Sequence, residues 1–168
     1  MTFQQKFMNF LSEIGTIMYV GGILSHIIIG AVVGHPDAQT AYNVYTYKEL
    51  SAYILILPGM GLKVAADLYL YFTYEVKPNW LKVKLAAMAF LAINAFVFLV
   101  PMMPELRELA KNSMESGVVS EAFLTLFAKE EIVGISNSIP LLIEILMGAF
   151  RPKLFKERKE MVRIGGQQ

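Results

Sequence analysis

IGTIMYVGGILSHIIIGAVV, Ile14–Val33, is a run of twenty residues without one Asp, Glu, Lys or Arg, and it decides the class of the fold. As a helix rising ~1.5 Å per residue, such a run matches the ~30 Å hydrocarbon core of a bilayer. It ends on GHPD, Gly34–Asp37, and not on a small-residue cleavage site after a short apolar region, so it reads as a retained helix and not as a signal peptide. With its flanks the first span is drawn at Phe10–Gly34. Three further stretches qualify: Glu49–Tyr71, Pro78–Met102 and Glu131–Phe150. The expectation is an all-α integral membrane bundle of four transmembrane helices.

Composition agrees. The 168-residue chain is 55% hydrophobic and 17% charged, against roughly 45–50% and ~25% in soluble domains. The net charge of +1 gives no bias toward nucleic acid. The lack of cysteine excludes disulfides, thiol catalysis, iron–sulfur clusters and covalent haem attachment. No HExxH, GxGxxG or Walker pattern occurs, so nothing points to a zinc hydrolase or a nucleotide site. No linker divides the chain, and residues 1–168 read as one domain.

Between the third and fourth spans lies PELRELAKNSMESGVVSEAFLTLFAKE, Pro104–Glu130, an amphipathic connector expected as one or two helices on the outer surface. After Phe150 comes a basic tail, 151–168, with Arg151, Lys153, Lys156, Arg158, Lys159 and Arg163. Lys77, Lys82 and Lys84 lie at the same side, and the opposite loops hold Lys48, Arg107, Lys111 and Lys129 diluted over more residues. The positive-inside rule then puts both termini in the cytoplasm. Trp80, Tyr69, Tyr71 and Tyr74 are expected in the inner aromatic belt, and Tyr42, Tyr45, Tyr47 and Tyr53 in the outer one.

Ionisable groups inside a bilayer are costly and are where function is sought. Lys63 and Asp67 are four apart on the second helix and share a face. They read as an internal ion pair, a cofactor-carboxylate site or a proton relay. Pro58, Gly59 and Gly61 interrupt that helix one turn earlier, as a plain kink or as the lining of a cavity. Gly22, His26, Gly30 and Gly34 recur at steps of four, with Gly15 seven before Gly22. That stripe serves close helix packing, or leaves a flat recess for a ring with His26 as its axial ligand. Glu13, about 20 Å from His26 along the helix, cannot share a metal ion with it. Lys84, Asn137 and Glu144 converge on the bundle centre, to solvate a bound polar group or one another.

Four segments carry a resemblance: IGTIMYVGG in the first helix, PGM at Pro58–Met60, WLKVKL at Trp80–Leu85, and NSIPLLIEILMGAFRP at Asn137–Pro152. Together they resemble the HemJ-type membrane proteins and their CopD-like four-helix relatives, from Ile14 to Pro152. That resemblance implies a bacterial inner membrane, b-type haem, a porphyrin-sized pocket and a porphyrinogen oxidase reaction. It carries Lys84 onto the lysine of the family's W-L-x-x-K-L pattern and Pro140 onto the proline of N-E-x-P, with Ser138 in place of the glutamate. The chain departs where the family has a first-helix histidine (Ser12 and Glu13 stand there), an arginine (near Ile28) and a tryptophan (Tyr19).

The candidate cofactor site is therefore His26, as metal ligand, with Lys63, Asp67, Lys84, Gly22 and Gly30. Three functions stay open: a haem- or porphyrin-associated redox protein, a small-solute or metal-ion transporter or permease subunit, and a non-catalytic component of a membrane complex or homo-oligomer. The sequence leaves open whether the chain is an enzyme.

Overall fold

The computed structural model describes residues 2–154. Four long helices dominate it: α1 (Phe3–Val33), α2 (Ala38–Thr73), α3 (Asn79–Asn112) and α4 (Glu121–Phe150), each long and apolar enough to cross a bilayer. Lys156, Arg158, Lys159 and Arg163 of the expected basic tail lie outside the described residues.

The helices overrun the apolar stretches because capping chemistry, and not hydropathy, sets their ends. Thr2 and Gln5 form a reciprocal capping box, with Gln5 N–H donating to Thr2 Oγ1 at 3.2 Å and Thr2 N–H to Gln5 Oε1 at 3.0 Å. This starts α1 at Phe3, seven residues before Phe10. Gly34 ends α1 at a φ of +60°, a region glycine enters without steric cost. Asp37 then caps α2 by accepting from Thr40 N–H at 2.7 Å. That backbone donor holds the Asp37 carboxyl below its usual range.

At ~1.5 Å per residue, α2 and α3 reach about 50 Å. They therefore project well beyond a ~30 Å core at the side carrying the α1–α2 and α3–α4 loops. The amphipathic connector forms the projecting ends of α3 and α4, folded against the start of α2. Ala41, Tyr45, Met103, Leu106, Ala110 and Phe123 make a separate small core there. Tyr45, expected in the outer aromatic belt, is buried in it.

Within the membrane span the arrangement is pairwise. α1 lies along the second half of α2, and the second half of α4 lies along the first half of α3. The pairs meet across an apolar cluster of Tyr19, Ile56, Met60, Met88, Leu91 and Ala95. Outward-facing residues such as Ile17, Ile28, Ile135 and Ile139 are more than 60% exposed. Such a belt is a liability in water and an ordinary surface in lipid.

Two features shape the bundle. The first is proline. Pro58 and Pro101 lack the N–H that continues a helix, and each follows a wider π-helical turn, at Ala52–Ile56 and Asn94–Leu99. α4 is interrupted at Asn137, three residues before Pro140. The second is the α1–α2 approach. A Cβ on Gly15 would lie 2.6 Å from the Gly59 carbonyl oxygen and 2.8 Å from the Lys63 nitrogen. A Cβ on Gly59 would lie 2.6 Å from Met18 Cβ and 2.8 Å from the Tyr19 nitrogen. Only glycine at both positions allows backbones this close.

Gly59→Ala is accordingly expected to lower stability by about 1–3 kcal/mol, the usual cost of overpacking. Gly61→Ala, whose Cβ meets nothing within 4 Å, should change it by ~1 kcal/mol or less. Thermal unfolding in mild detergent compares the two, and equal effects would remove the close-approach argument.

Candidate functional site

The first polar layer draws on all four helices. Lys63 and Asp67 project from one face of α2, being four residues apart. Ser12 and Tyr19 sit two turns apart on α1, with Gly15 between them letting the α2 backbone in; Ser12 reaches Lys63 and Asp67, and Tyr19 reaches Glu144. Lys84 comes from α3 and Glu144 from α4. Lys63 Nζ lies 2.6 Å from Glu144 Oε1 and 3.4 Å from Asp67 Oδ2. Lys84 Nζ lies 2.9 Å from Asp67 Oδ1. Ser12 Oγ donates to Asp67 Oδ1 at 2.7 Å, and Tyr19 OH donates to Glu144 Oε2 at 2.5 Å. The two ammonium groups also reach Ser12 Oγ, at 3.3 and 3.4 Å.

These side chains are almost wholly buried: Asp67 is 0% exposed, Lys63 and Glu144 1%. Two ammonium groups face two carboxylates, so the formal charge of the layer is zero. One acceptor is left over: Asp67 Oδ2 has no hydrogen-bond donor. A cavity of about 320 Å³ reaches this layer from the side of the chain termini, lined by Ser12, Lys63, Lys84 and Glu144 and, toward its mouth, Asn9, Glu13 and Arg151.

A second polar layer lies nearer the loops. Lys48 Nζ is 2.8 Å from Glu130 Oε1 and 4.9 Å from the centre of the Tyr45 ring. Tyr45 OH hydrogen-bonds the other Glu130 oxygen. Ser51 Oγ donates to the Lys48 carbonyl at 3.2 Å and is hydrogen-bonded to His26 Nε2. Asn94, at the start of the α3 π-helical turn, donates to Asn137 Oδ1 at 2.7 Å, at the break in α4. Beside these groups a larger cavity of about 610 Å³ opens between α1 and α4. Ile23, Leu57, Met60 and Leu91 give it apolar walls, and its polar groups include His26, Lys48, Glu130 and Asn137.

The six sequence candidates divide between these places. Lys63, Asp67 and Lys84 meet in the first layer. His26 and Gly30 line the outer cavity, where a Cβ on Gly30 would touch nothing within 4 Å. Gly22 packs on α2, where its Cβ would lie 2.5 Å from Ile56 Cγ1. Both lysines are taken by carboxylates in a different layer from the histidine. Among the described residues no group of three or more His, Asp or Glu converges as a metal site.

Sequence reasoning missed Ser12 and Tyr19, whose seven-residue spacing around Gly15 was the available signal. It also missed the Tyr45–Glu130 bond, for which the local sequence offers none.

Removing one partner of a buried pair leaves the other charge stranded. Glu130→Ala should therefore cost about 3–5 kcal/mol. The triple variant Tyr45→Phe/Lys48→Met/Glu130→Leu should regain wild-type stability or exceed it, since no polar group is then orphaned. Denaturant unfolding in detergent reads both, and a triple variant as weak as the single would overturn the pairing argument.

No protein-family model, curated protein or solved structure matches the chain, so its function is argued from the geometry of these two layers.

Proposed function

We propose that this integral membrane protein is a permease that passes an amphiphilic small molecule along the seam between α1 and α4. The observation that carries the reading is the pair of cavities at the two ends of one seam, divided by a single layer of side chains. Ile23 and Met60 line the outer cavity; Thr16 and Lys63 line the inner one. Met60 and Lys63 are one helical turn apart, ~5 Å, and the Tyr19–Glu144–Lys63 contacts fill that turn.

The outer cavity has the volume and character of a ligand site: a few hundred Å³, mostly apolar, with a few polar groups. An apolar ring or chain would lie along Ile23, Leu57 and Met60, and its polar end would meet His26, Asn137 and the Lys48–Glu130 pair. Interrupted helices with charges at membrane depth are common along solute paths. The excess of Lys and Arg at the terminal side supports a cytoplasmic inner cavity.

A second reading is favoured by one observation, that the His26 imidazole lines a cavity of ligand size next to the open Gly30 position. Haem would sit in that outer cavity, with His26 exchanging its Ser51 bond for the iron. The haem would supply one-electron redox chemistry.

Three head groups on one chain test the site: octylamine, octanol and octanoate, added to the protein in nanodiscs. At least one should raise the unfolding temperature, with stabilisation near 2.7 kcal/mol at a hundredfold excess over Kd. Gly30→Leu, which adds bulk to the cavity at a position where a Cβ meets nothing within 4 Å, should abolish that shift. No stabilisation by any of the three would sink the amphiphile site.

The path itself is tested by labelling, which the cysteine-free chain makes clean. A membrane-impermeant maleimide should reach Thr16→Cys from the terminal side and Gly134→Cys from the loop side. Failure of both positions to react would rule out an aqueous route. A Soret band that shifts on dithionite reduction and is lost in His26→Ala would instead select the haem reading.

A further inference from the structure

From the geometry of the inner layer we infer that Lys63 is a two-position switch, and that proton uptake by Glu144 releases the terminal half of α4 from α1 and α2. This builds on the permease reading for its purpose, since it names the proton as the ion that drives the gate. Its test does not depend on that reading.

Three observations carry it. First, Lys63 Nζ lies between two carboxylates, 2.6 Å from Glu144 and 3.4 Å from Asp67 Oδ2. Second, Asp67 Oδ2 is fully buried and has no hydrogen-bond donor. A buried acceptor without a donor is costly, and here it lies within reach of an ammonium group committed elsewhere. It is the second partner of Lys63, already at ion-pair distance but not hydrogen-bonded. Third, Glu144 is the only group of α4 in the layer, and Tyr19 and Lys63 are its two ties to α1 and α2.

The step balances simply. Glu144 takes one proton from water in the inner cavity and becomes a neutral carboxylic acid. Its bond to Tyr19 loses charge assistance, which roughly halves a hydrogen bond's strength, and its contact with Lys63 changes from an ion pair to a hydrogen bond between an ammonium and a neutral acid. Lys63 then closes the gap to Asp67 Oδ2. Asp67, bound also by Lys84 and Ser12, stays charged between two ammonium groups. No other group changes its protonation, so the layer gains one net positive charge, on the side that opens to the inner cavity.

Every charged or titratable neighbour is compatible with this assignment. From α1 come Tyr19 and, at the cavity mouth, Glu13; from α2, Lys63 and Asp67; from α3, Lys84; and from the end of α4, Arg151. At close range Asp67 is held by Lys84 and Ser12, and Glu144 by Lys63 and Tyr19. Glu144 is assigned the proton because it lines the inner cavity, and Asp67 does not.

The moving part is marked by the break in α4. Asn137 interrupts the helix seven residues before Glu144, and its side chain is held to α3 by Asn94. The half from Ser138 to Phe150 can therefore turn about a fixed point.

Spin labels at Phe10→Cys and Phe150→Cys, both exposed positions, report the distance across the seam by pulsed dipolar spectroscopy in nanodiscs. The doubly labelled full chain should show a short population at high pH that converts to a longer one as pH falls. Glu144→Gln, which fixes the uncharged form, should give the long population at every pH. A distance distribution independent of pH in the parent protein overturns the proposal, whether or not Glu144→Gln folds. A pH-dependent distance that Glu144→Gln leaves titrating also overturns it, because another group then carries the proton. If the distance moves as expected while both maleimide positions stay silent, the switch stands and the permease reading fails. If labelling succeeds and the distance never moves, the reverse holds.

Discussion

A charge inside a bilayer has no water to fall back on, and that constraint organises this protein. Lys63, Asp67, Lys84 and Glu144 occupy one level with a formal sum of zero. Any three of them would leave a net charge in a low-dielectric interior, at a cost of several kcal/mol. Because Lys63 and Asp67 come from α2, Lys84 from α3 and Glu144 from α4, neutrality is reached only when the helices are assembled. The layer therefore specifies the fold more than it stabilises it. Lipid-facing side chains gain nothing from packing against one another in hydrocarbon, so a polar layer that must be completed is a strong reason for four helices to adopt one arrangement.

The small residues and the prolines make that layer reachable. Gly15 and Gly59 bring α1 and α2 so close that Ser12 bonds both members of the α2 ion pair, while Tyr19, two turns on, bonds Glu144. The prolines act in the other direction. Each removes a backbone bond, and the π-helical turns and the interruption at Asn137 lie on the loop side of the layer, where Ala52, Leu57, Ala95 and Asn137 line the larger cavity. Tight packing on one seam and a cavity on the other belong to the same four helices, with glycine where they close and proline beside the cavity.

Much of this was legible in the sequence, and what was not has a physical explanation. The four spans follow from hydropathy alone, and the four-residue spacing of Lys63 and Asp67 puts them on one face. The depth of Lys84 in the α2–α3 hairpin brings it to the same level, and the convergence of Glu144 on the bundle centre was readable from its distance to Pro140. The identity of each partner was not readable, because it depends on the rotation of one helix against another, which no local pattern encodes. The same holds for Tyr45 and Glu130, 85 residues apart. Helix ends were drawn too short because hydropathy marks where lipid stops, whereas Thr2, Gln5 and Asp37 mark where helices start. The glycine stripe on α1 divided because its members face two environments: Gly22 meets Ile56, and Gly30 meets open space.

The two polar layers also act on one another through α4. Lys48 and Lys63 are fifteen residues apart on α2, and their partners Glu130 and Glu144 are fourteen apart on α4. At ~1.5 Å per residue both separations are about 21–22 Å. The two helices run in the same direction, so these pairs are two rungs of equal spacing that fix the axial register of α4 against α2. The rungs matter because α4 takes its direct packing from α3. Asn137 lies seven residues from each carboxylate, midway along the α4 side of the ladder, where helix continuity is already lost. The outer cavity occupies the space between the rungs. A ligand there is thus enclosed by a frame with one stiff rung in the loop-side core, one rung whose ammonium has a second carboxylate to turn to, and a break in the rail between them. Under the proposed switch, such a frame would open at one end while staying anchored at the other.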